Sequence, residues 1–250
     1  MKTSSLTGSL LAALLLIPAL GLAQAQELKA IKLNEPNKKR GLPVMEALSV
    51  RASVRDWSPN EIGLQDLSDL LWAADGINRP DSKKRTASSA QNAQDVDIYV
   101  FLKDGVYLYD AAGQALVPVA AGDHRNEVVM PPAGGPGGPG GPPPAKPENA
   151  PRPKPEGPPG VKPGNPPTPA PVLLVLVSDV SRFRGGTLEL KKEWGAIDTG
   201  IVSQNIALFC AATGLATRPR ASMDRDKIRT LLKLKDTQFP MLNHPVGHSK

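Results

Sequence analysis

The sequence predicts an α+β domain in which helices flank a central, mainly antiparallel sheet. Three observations support this class: a tight turn at Lys103-Asp104-Gly105 between two apolar runs, a continuous apolar run from Val172 to Val177, and a long apolar pattern from Asp198 to Thr213. Short hairpin turns join antiparallel strands, and a wholly apolar run suggests a strand buried on both faces. Helices packed on such a sheet give the α+β class.

The elements before the central run follow from local patterns. Pro43 to Ser49 predicts a short helix with Pro43 near its first turn. Leu64 to Ala74 predicts an amphipathic helix with Gly76 as its C-cap, whereas Asn78 to Ala93 carries little apolar sequence and should be loop. Strands are predicted at Val96–Leu102, Val106–Tyr109 and Ala115–Val119.

The elements after it are dominated by one helix. Asp198 to Thr213 is apolar nearly all round and should be buried in a core or a subunit interface, with Gly214 ending it. Ser222 should cap a further helix through Leu232. Short strands are predicted at Leu215–Thr217 and Phe239–Val246.

Two segments are excluded from this fold. Residues 1–25 have the charged, apolar and small-residue parts of a secretory signal, and their apolar part is too short for a comfortable membrane span. Residues 131–171 hold 18 of the 27 prolines and almost nothing apolar, which predicts a disordered insertion. Residues 26–130 and 172–250 then form a single domain. We expect an exported protein, periplasmic or secreted, without a stable membrane anchor.

Charge and cysteine content exclude several function classes. The formal net charge is +6, but no basic stripe with interleaved aromatics appears, so nucleic-acid binding is not expected. Cys210 is the only cysteine, which excludes an internal disulfide, and its apolar neighbours predict a small buried side chain. No cluster of His, Cys and carboxylate residues has metal-ligand spacing, so no metal site is predicted.

Two polar segments indicate the function. Arg51, Ser53 and Arg55 supply two guanidiniums and a hydroxyl, a donor set that suits a phosphate. The segment 85–94 (RTASSAQNAQ) combines small residues with amides. Small side chains allow the backbone to approach a flat ring, and an amide can both donate and accept at its edge. Together the segments indicate a flavin mononucleotide (FMN) site; the alternatives are a solvated arginine pair and an ordinary Ser/Asn loop.

These segments resemble the flavin-dependent nitroreductase family, in particular its short exported members and its oxidase-type branch. The resemblance implies a nitroreductase-like fold that forms a homodimer through long helices. It also implies an FMN in each of two interface sites, with residues from both subunits. Five segments carry the resemblance in order: Arg51–Arg55, Leu67–Asn78, Arg85–Gln94, Asp198–Leu215 and His244–His248.

The resemblance assigns phosphate contacts to two separate parts of the chain. Arg51, Ser53 and Arg55 match the family's phosphate-binding turn. His248 and Lys250 lie where a second phosphate contact often occurs in the family. Both assignments concern cofactor binding, and neither concerns the reacting atoms.

The resemblance also assigns contacts to the isoalloxazine ring. Ser89, Ala90 and Asn92 match the turn that holds the ring, with Asn92 at its polar edge. Arg220 and Ala221 fall where the family presents backbone to the flavin N5, and Ala221 departs from the glycine that is common there.

The expected function is therefore that of an FMN-dependent oxidoreductase. NAD(P)H or another donor would reduce FMN by hydride transfer, and a nitroaromatic, quinone or similar conjugated acceptor would reoxidise it. The cofactor carries this chemistry, so no catalytic residue is assigned. One alternative is a flavin oxidase or dehydrogenase that acts on a peptide or small molecule. Another is a non-catalytic exported binding protein that uses the Pro-rich insertion to dock a partner.

Overall fold

The computed structural model describes residues 28–129 and 169–250, which hold four α-helices and nine strands. The predicted signal and residues 131–168 of the predicted insertion lie outside the described residues. The helices are α1 (Val44–Val50), α2 (Leu64–Asp75), α3 (Leu188–Thr213) and α4 (Arg225–Leu232). The strands are β1 (Ile31–Lys32), β2 (Ile77–Arg79), β3 (Lys84–Arg85), β4 (Val96–Phe101), β5 (Gly105–Asp110), β6 (Ala115–Ala121), β7 (Val172–Asp179), β8 (Leu215–Thr217) and β9 (Gln238–His248).

One sheet organises the molecule. Seven strands lie in the order β1-β6-β5-β4-β7-β9-β8, and every neighbouring pair is antiparallel. The remaining two, β2 and β3, form a separate antiparallel ribbon. The predicted α+β class with a mainly antiparallel sheet is confirmed.

Strand β7 is the centre of the core. All eight of its residues are buried, because both faces of the sheet are covered at this position. Alternate residues such as Leu174 and Leu176 pack in the cluster that contains the apolar faces of α2 and α3. The residues between them, such as Leu173 and Val175, pack in the cluster that contains Ile228 of α4. The predicted central strand is therefore correct and extends two residues further.

Helix α3 begins ten residues before the predicted start at Asp198. Thr187 caps it, and its Oγ1 accepts a hydrogen bond from the N–H of Leu190 at 3.3 Å. The first turns carry several charged residues and expose Leu188 and Ile197. Those turns therefore lack the apolar stripe that sequence analysis uses to recognise a helix.

Two further predictions of local structure are wrong. The last helix is capped by Asp224, whose carboxylate accepts from the N–H of Lys227 at 3.1 Å, and not by Ser222. The stretch from Asn78 to Ala93 is not all loop, because it contains the end of β2, all of β3 and two 3₁₀ turns. Cys210 is buried as predicted, and burial raises the pKa of its thiol.

The described chain resumes at Pro169, so the last three residues of the predicted insertion belong to the packed domain. Ala170 is buried. Arg125 donates from Nη1 to the carbonyl oxygens of Ala170 at 3.2 Å and Pro171 at 2.9 Å. Its Nη2 contacts the carboxylate of Asp123 at 2.6 Å. One buried arginine thus connects the chain before the insertion with the chain after it.

Gly195 allows α3 to lie directly on the sheet. A Cβ at this position would collide with Ser178 Oγ and lie 2.9 Å from Ser178 Cβ on β7. The close approach brings Asp198, one turn later on α3, into the region below residues 89–94. Among the helices of residues 28–129 and 169–250, none has the length and apolar character needed to cross a membrane.

Candidate flavin site

The predicted phosphate segment is an extended stretch between α1 and the sheet. Arg51 ends α1, and its N–H donates to the carbonyl of Ala47 at 3.0 Å. The N–H of Val54 donates to the carbonyl of Thr217 on β8 at 3.1 Å. The side chains of Arg51, Ser53 and Arg55 are exposed. The structure therefore presents this donor set to solvent on one short segment, as an anion site requires.

A cationic cavity of about 140 Å³ lies beside this segment. Arg55 and Trp57 line it from the segment itself, Arg125 from the chain after β6, and Arg218 and Arg220 from the chain after β8. None of its described lining residues is acidic. The cavity thus collects arginines from three distant parts of the chain.

The arginines in the cavity destabilise one another's charged forms. Burial, followed by the charge of Arg218, lowers the pKa of Arg220 to about 10. Burial and the charge of Arg55 lower the pKa of Arg218. Both side chains stay protonated at neutral pH, so the cavity holds positive charge that an anion would stabilise.

Two buried N–H groups in the cavity have no acceptor within the described residues. They are Trp57 Nε1 and Arg218 Nε. The Arg218 guanidinium lies 5.8 Å from the centroid of the Trp57 ring, so the two side chains face each other. Buried donors are nearly always paired, and an unpaired one costs about 1–3 kcal/mol. The residues here therefore fit a ligand that accepts hydrogen bonds.

The small-residue turn is held from below by α3. The N–H of Ala90 donates to both carboxylate oxygens of Asp198, at 3.0 and 2.8 Å. The Oγ of Ser89 accepts from the N–H of Gln94 at 2.9 Å. Gln91, Asn92 and Gln94 have positive φ angles of 56°, 53° and 48°. This conformation costs free energy for residues other than glycine, and it leaves Asn92 exposed at the surface of the turn.

Buried carboxyls lie beneath the turn. Asp95 is fully buried, and its Oδ2 accepts from Ser178 Oγ at 2.5 Å. Burial, and then the neighbouring carboxylate of Asp198, raise the pKa of Asp95 to about 7. Burial also raises the pKa of Asp75 to about 7, although Arg85 lies 3.3 Å from its Oδ2. No group of His, Cys, Asp and Glu within residues 28–129 and 169–250 is arranged to hold a metal ion.

The two predicted parts of the flavin site line different cavities in one copy of the described chain. The cationic cavity includes Arg55 but no residue of the Ser89–Gln94 turn. A small cavity of about 10 Å³ under that turn includes Ser89 and Asp198 but no arginine. We call these two parts, the arginines around the cationic cavity and the Ser89–Gln94 turn, the two half-sites.

The remaining predicted residues lie at the opposite edge of the sheet from β1. Arg220 pairs with Asn243 through backbone hydrogen bonds of 2.9 and 2.8 Å, and its side chain lines the cationic cavity. Ala221 follows it and is exposed. His248 ends β9 half-buried, and its carbonyl accepts from Ser58 N at 2.8 Å. Lys250 is exposed.

His244 has a structural role that sequence analysis did not assign. It is fully buried, with Nε2 at 2.8 Å from Ser203 Oγ and Nδ1 at 3.2 Å from Thr217 Oγ1. Burial, and then the charge of Arg220, lower its pKa to about 3. The ring is therefore neutral at physiological pH and joins α3 to the sheet.

Sequence analysis also missed Arg125 and Arg218. Arg218 and Arg220 lie two residues apart on either side of Pro219, which is the same separation as that of Arg51 and Ser53. This pair of arginines was the only local pattern from which Arg218 could have been predicted. Nothing local marks Arg125, because it enters the cavity only through the folded path of the chain.

A sequence model of the nitroreductase family matches residues 48–248. The chain belongs to the nitroreductase family. Members of this family are flavin-dependent oxidoreductases, and the family generally binds flavin, uses nicotinamide donors and often forms dimers. The cationic segment and the small-residue turn both lie within the residues that match the family.

Individual relatives agree with this assignment. A provisionally named nitroreductase of Methanocaldococcus jannaschii is 23% identical over 208 residues, which is 81% of this chain and 89% of the relative. A provisionally named nitroreductase of Ralstonia eutropha JMP134, solved by crystallography, is 27% identical with a TM-score of 0.70; the match covers 98% of this chain and 99% of that one. A chain of the Escherichia coli microcin synthetase McbBCD complex shares the fold at 15% identity and a TM-score of 0.59, covering 96% and 85%.

The buried carboxyls predict how stability depends on pH. The pKa of Asp95 is about 7 in the folded chain against 3.8 as the ordinary value, so the folded state binds more protons between these values. Its contribution to the free energy of unfolding is therefore full below about pH 4 and is lost as pH rises through about 7. In Asp95→Asn, the amide replaces the protonated carboxyl. Urea unfolding from pH 4 to 8 should give a variant with a flatter profile, by up to about 4 kcal/mol.

Asp81→Asn, an exposed position, is the matched control and should keep the wild-type profile. Parallel profiles for wild type and Asp95→Asn would contradict the assignment of a retained proton to Asp95.

Proposed function

We propose that the protein is an FMN-dependent oxidoreductase that moves electrons from NAD(P)H or another donor to a nitroaromatic, quinone or similar conjugated acceptor. The observation that carries the proposal is the exposed Arg51-Ser53-Arg55 segment beside a cationic cavity, in a chain of the nitroreductase family. Bound FMN would supply the redox chemistry, by accepting a hydride from the donor and passing two electrons to the acceptor.

The phosphate of FMN would be held by Arg51, Ser53 and Arg55. A charged hydrogen bond to a phosphate contributes about 1.5–3 kcal/mol, and neither arginine is in an ion pair within the described ranges. His248 and Lys250 would add a second contact, because β9 ends near Ser58 of the same segment.

The flavin ring would lie between Asn92 and the Arg220–Ala221 turn. Asn92 is exposed on a turn of fixed shape, so its amide is placed to donate to and accept from a pyrimidine edge. The N–H of Arg220 already donates to Asn243 O at 2.9 Å. Ala221 would therefore present the N–H that faces the flavin N5.

We also propose that the protein functions as a homodimer. Helix α1 exposes Val44, Met45 and Leu48 at 62%, 73% and 47% of their surfaces, and it leads directly into Arg51. An apolar patch of this kind is typical of an interaction surface. A second copy packed on α1 would bring its own Asn92 turn toward the Arg51 segment, whereas in one copy the Ser89–Gln94 turn and Arg55 line different cavities.

We also propose that the protein is exported and that it carries a Pro-rich insertion. The signal-like residues 1–25 support a periplasmic or secreted protein, which would acquire FMN after export. Residues 131–168 are proposed to be a Pro-rich insertion within the single domain.

FMN binding is the first prediction of this function. Residues 26–250, incubated with FMN and desalted, should retain the flavin absorbance spectrum. The double variant Arg51→Ala/Arg55→Ala should bind FMN at least about 100-fold more weakly, because it loses two charged hydrogen bonds. Arg184→Ala, an exposed arginine outside the segment, should bind like wild type. No retained flavin at micromolar wild-type protein would refute the oxidoreductase function.

The oligomeric state gives an independent prediction. Met45→Glu/Leu48→Glu places two charges in the exposed face of α1, so the protein should sediment as a monomer. It should also lose FMN although Arg51 and Arg55 are intact. Val117→Glu, at a residue of β6 that is 43% exposed, should leave both properties unchanged. A Met45→Glu/Leu48→Glu variant that remains dimeric would contradict the proposed interface.

A further inference from the structure

We propose that the ribbon formed by β2 and β3 docks the protein on the anionic headgroups of a lipid bilayer, so that its electron acceptor is a quinone dissolved in that bilayer. The docking is argued from the charge, shape and position of the ribbon and does not depend on the flavin. The acceptor rests on the proposed FMN-dependent function and adds its class of substrate.

The ribbon displays positive charge that the protein does not neutralise. Residues 77–86 contain four cationic side chains and a single acidic one, Asp81. One of the cations, Arg85, lies 3.3 Å from the carboxylate of Asp75. The other three are exposed and form no ion pair within the described residues: Arg79, Lys83 and Lys84. They are therefore available to an anionic partner.

The ribbon holds these cations in a fixed arrangement. Its strands are joined by the guanidinium of Arg79, whose Nη2 donates to the carbonyl of Arg85 at 2.6 Å. The N–H of Thr86 donates to the carbonyl of Gly76 at 2.8 Å, which ties the ribbon to the end of α2. Binding of a partner then requires little further ordering of the backbone, and ordering is one of the main costs of association.

The shape and composition of the ribbon favour a lipid surface over other anions. Arg79, Lys83 and Lys84 line neither the cationic cavity nor the cavity under the Ser89–Gln94 turn. Small molecules bind in concave sites, whereas clustered, exposed lysines and arginines are attracted to anionic lipid headgroups. Residues 77–86 contain no aromatic side chain on which the bases of a nucleic acid could stack.

The ribbon is part of the surface around the Ser89–Gln94 turn. The Nε2 of Gln94 donates to the carbonyl of Lys83 at 3.0 Å, and its Oε1 accepts from Arg85 Nε at 3.2 Å. Beyond the turn, the N–H of the exposed Arg184 donates to Gln91 Oε1 at 2.9 Å. Exposed cations thus flank the turn that is proposed to hold the isoalloxazine. A bilayer bound to the ribbon would lie beside the flavin ring.

This position selects among the proposed acceptors. A quinone with an apolar tail concentrates in a bilayer, because burial of the tail removes apolar surface from water. The quinone would take two electrons and two protons from reduced FMN and become a quinol, and the donor would then reduce the flavin again. The ribbon takes no part in that step, but it determines which acceptor reaches the ring.

Cosedimentation with lipid vesicles tests the docking. Residues 26–250 should bind vesicles of phosphatidylcholine mixed with phosphatidylglycerol, and should not bind phosphatidylcholine alone. High salt should release the protein, since it screens exposed charges. Lys83→Gln/Lys84→Gln should lower the partition coefficient by about 30-fold, because each lysine near an anionic surface contributes roughly a factor of five.

A matched variant controls for the loss of net charge. Lys233 and Lys235 are exposed after α4, which packs on the opposite face of the sheet from α2. Lys233→Gln/Lys235→Gln should therefore bind the mixed vesicles like wild type. If Lys83→Gln/Lys84→Gln does not fold, Lys84→Gln alone should give a reduction of about fivefold.

Three results would overturn the docking. They are equal binding of wild type to both kinds of vesicle, equal loss of binding in the two double lysine variants, and tighter binding of the ribbon to single-stranded DNA than to the mixed vesicles. The last result would assign the ribbon to nucleic acid.

Reoxidation kinetics test the acceptor. FMN-loaded protein is photoreduced anaerobically with EDTA and mixed with a long-chain ubiquinone in either kind of vesicle, or with soluble benzoquinone. The mixed vesicles should reoxidise wild type faster than phosphatidylcholine vesicles do, and Lys83→Gln/Lys84→Gln should lose that difference while its reaction with benzoquinone is unchanged. Equal rates with both vesicles would overturn the acceptor. If the protein holds no FMN or reduces neither quinone, the proposed function fails, and vesicle binding alone still decides the docking.

Discussion

The contact between α3 and β7 at Gly195 and Ser178 is the constraint on which the rest of the structure depends. Because residue 195 has no side chain, the helix lies directly on the central strand. The same contact places Asp198 under the small-residue turn, where it binds the N–H of Ala90. Ser178 also donates to the buried Asp95. The packing of α3 thus fixes the shape of the Ser89–Gln94 turn, and it keeps the carboxyls of Asp95 and Asp198 buried below that turn.

Charge is distributed unevenly over the two half-sites. Carboxyls gather under the Ser89–Gln94 turn, where burial favours their neutral form. Arginines gather around the cavity beside Trp57, and none of the described lining residues there is acidic. A homodimer would bring the turn of one chain to the cationic segment of the other. Flavin chemistry requires both a polar ring edge and compensation for a phosphate, and this arrangement would supply each from a different chain.

Local sequence patterns predicted most of the strands and the central parts of the helices. The apolar run Val172–Val177 of β7 and the turn at Lys103–Gly105 are each marked by a few consecutive residues, and both lie where they were predicted. The start of α3 was missed because its first turns are charged and partly exposed. The site was predicted less completely, because it depends on long-range packing. Arg125 follows β6 and Arg218 follows β8, so they line one cavity only because the folded sheet brings these distant parts of the chain together. A local sequence pattern does not contain that information.

The central claim is that each flavin site is shared between two chains, and complementation tests it most directly. One chain carries Arg51→Ala/Arg55→Ala and the other Ser89→Ala/Asn92→Ala; each alone should fail to retain FMN. After the two are unfolded and refolded together, random pairing makes half of the dimers mixed, and each mixed dimer has one intact site. Recovery of FMN in about a quarter of all sites is the predicted result. No recovery, with mixed dimers demonstrated, would show that the two segments do not act across the interface.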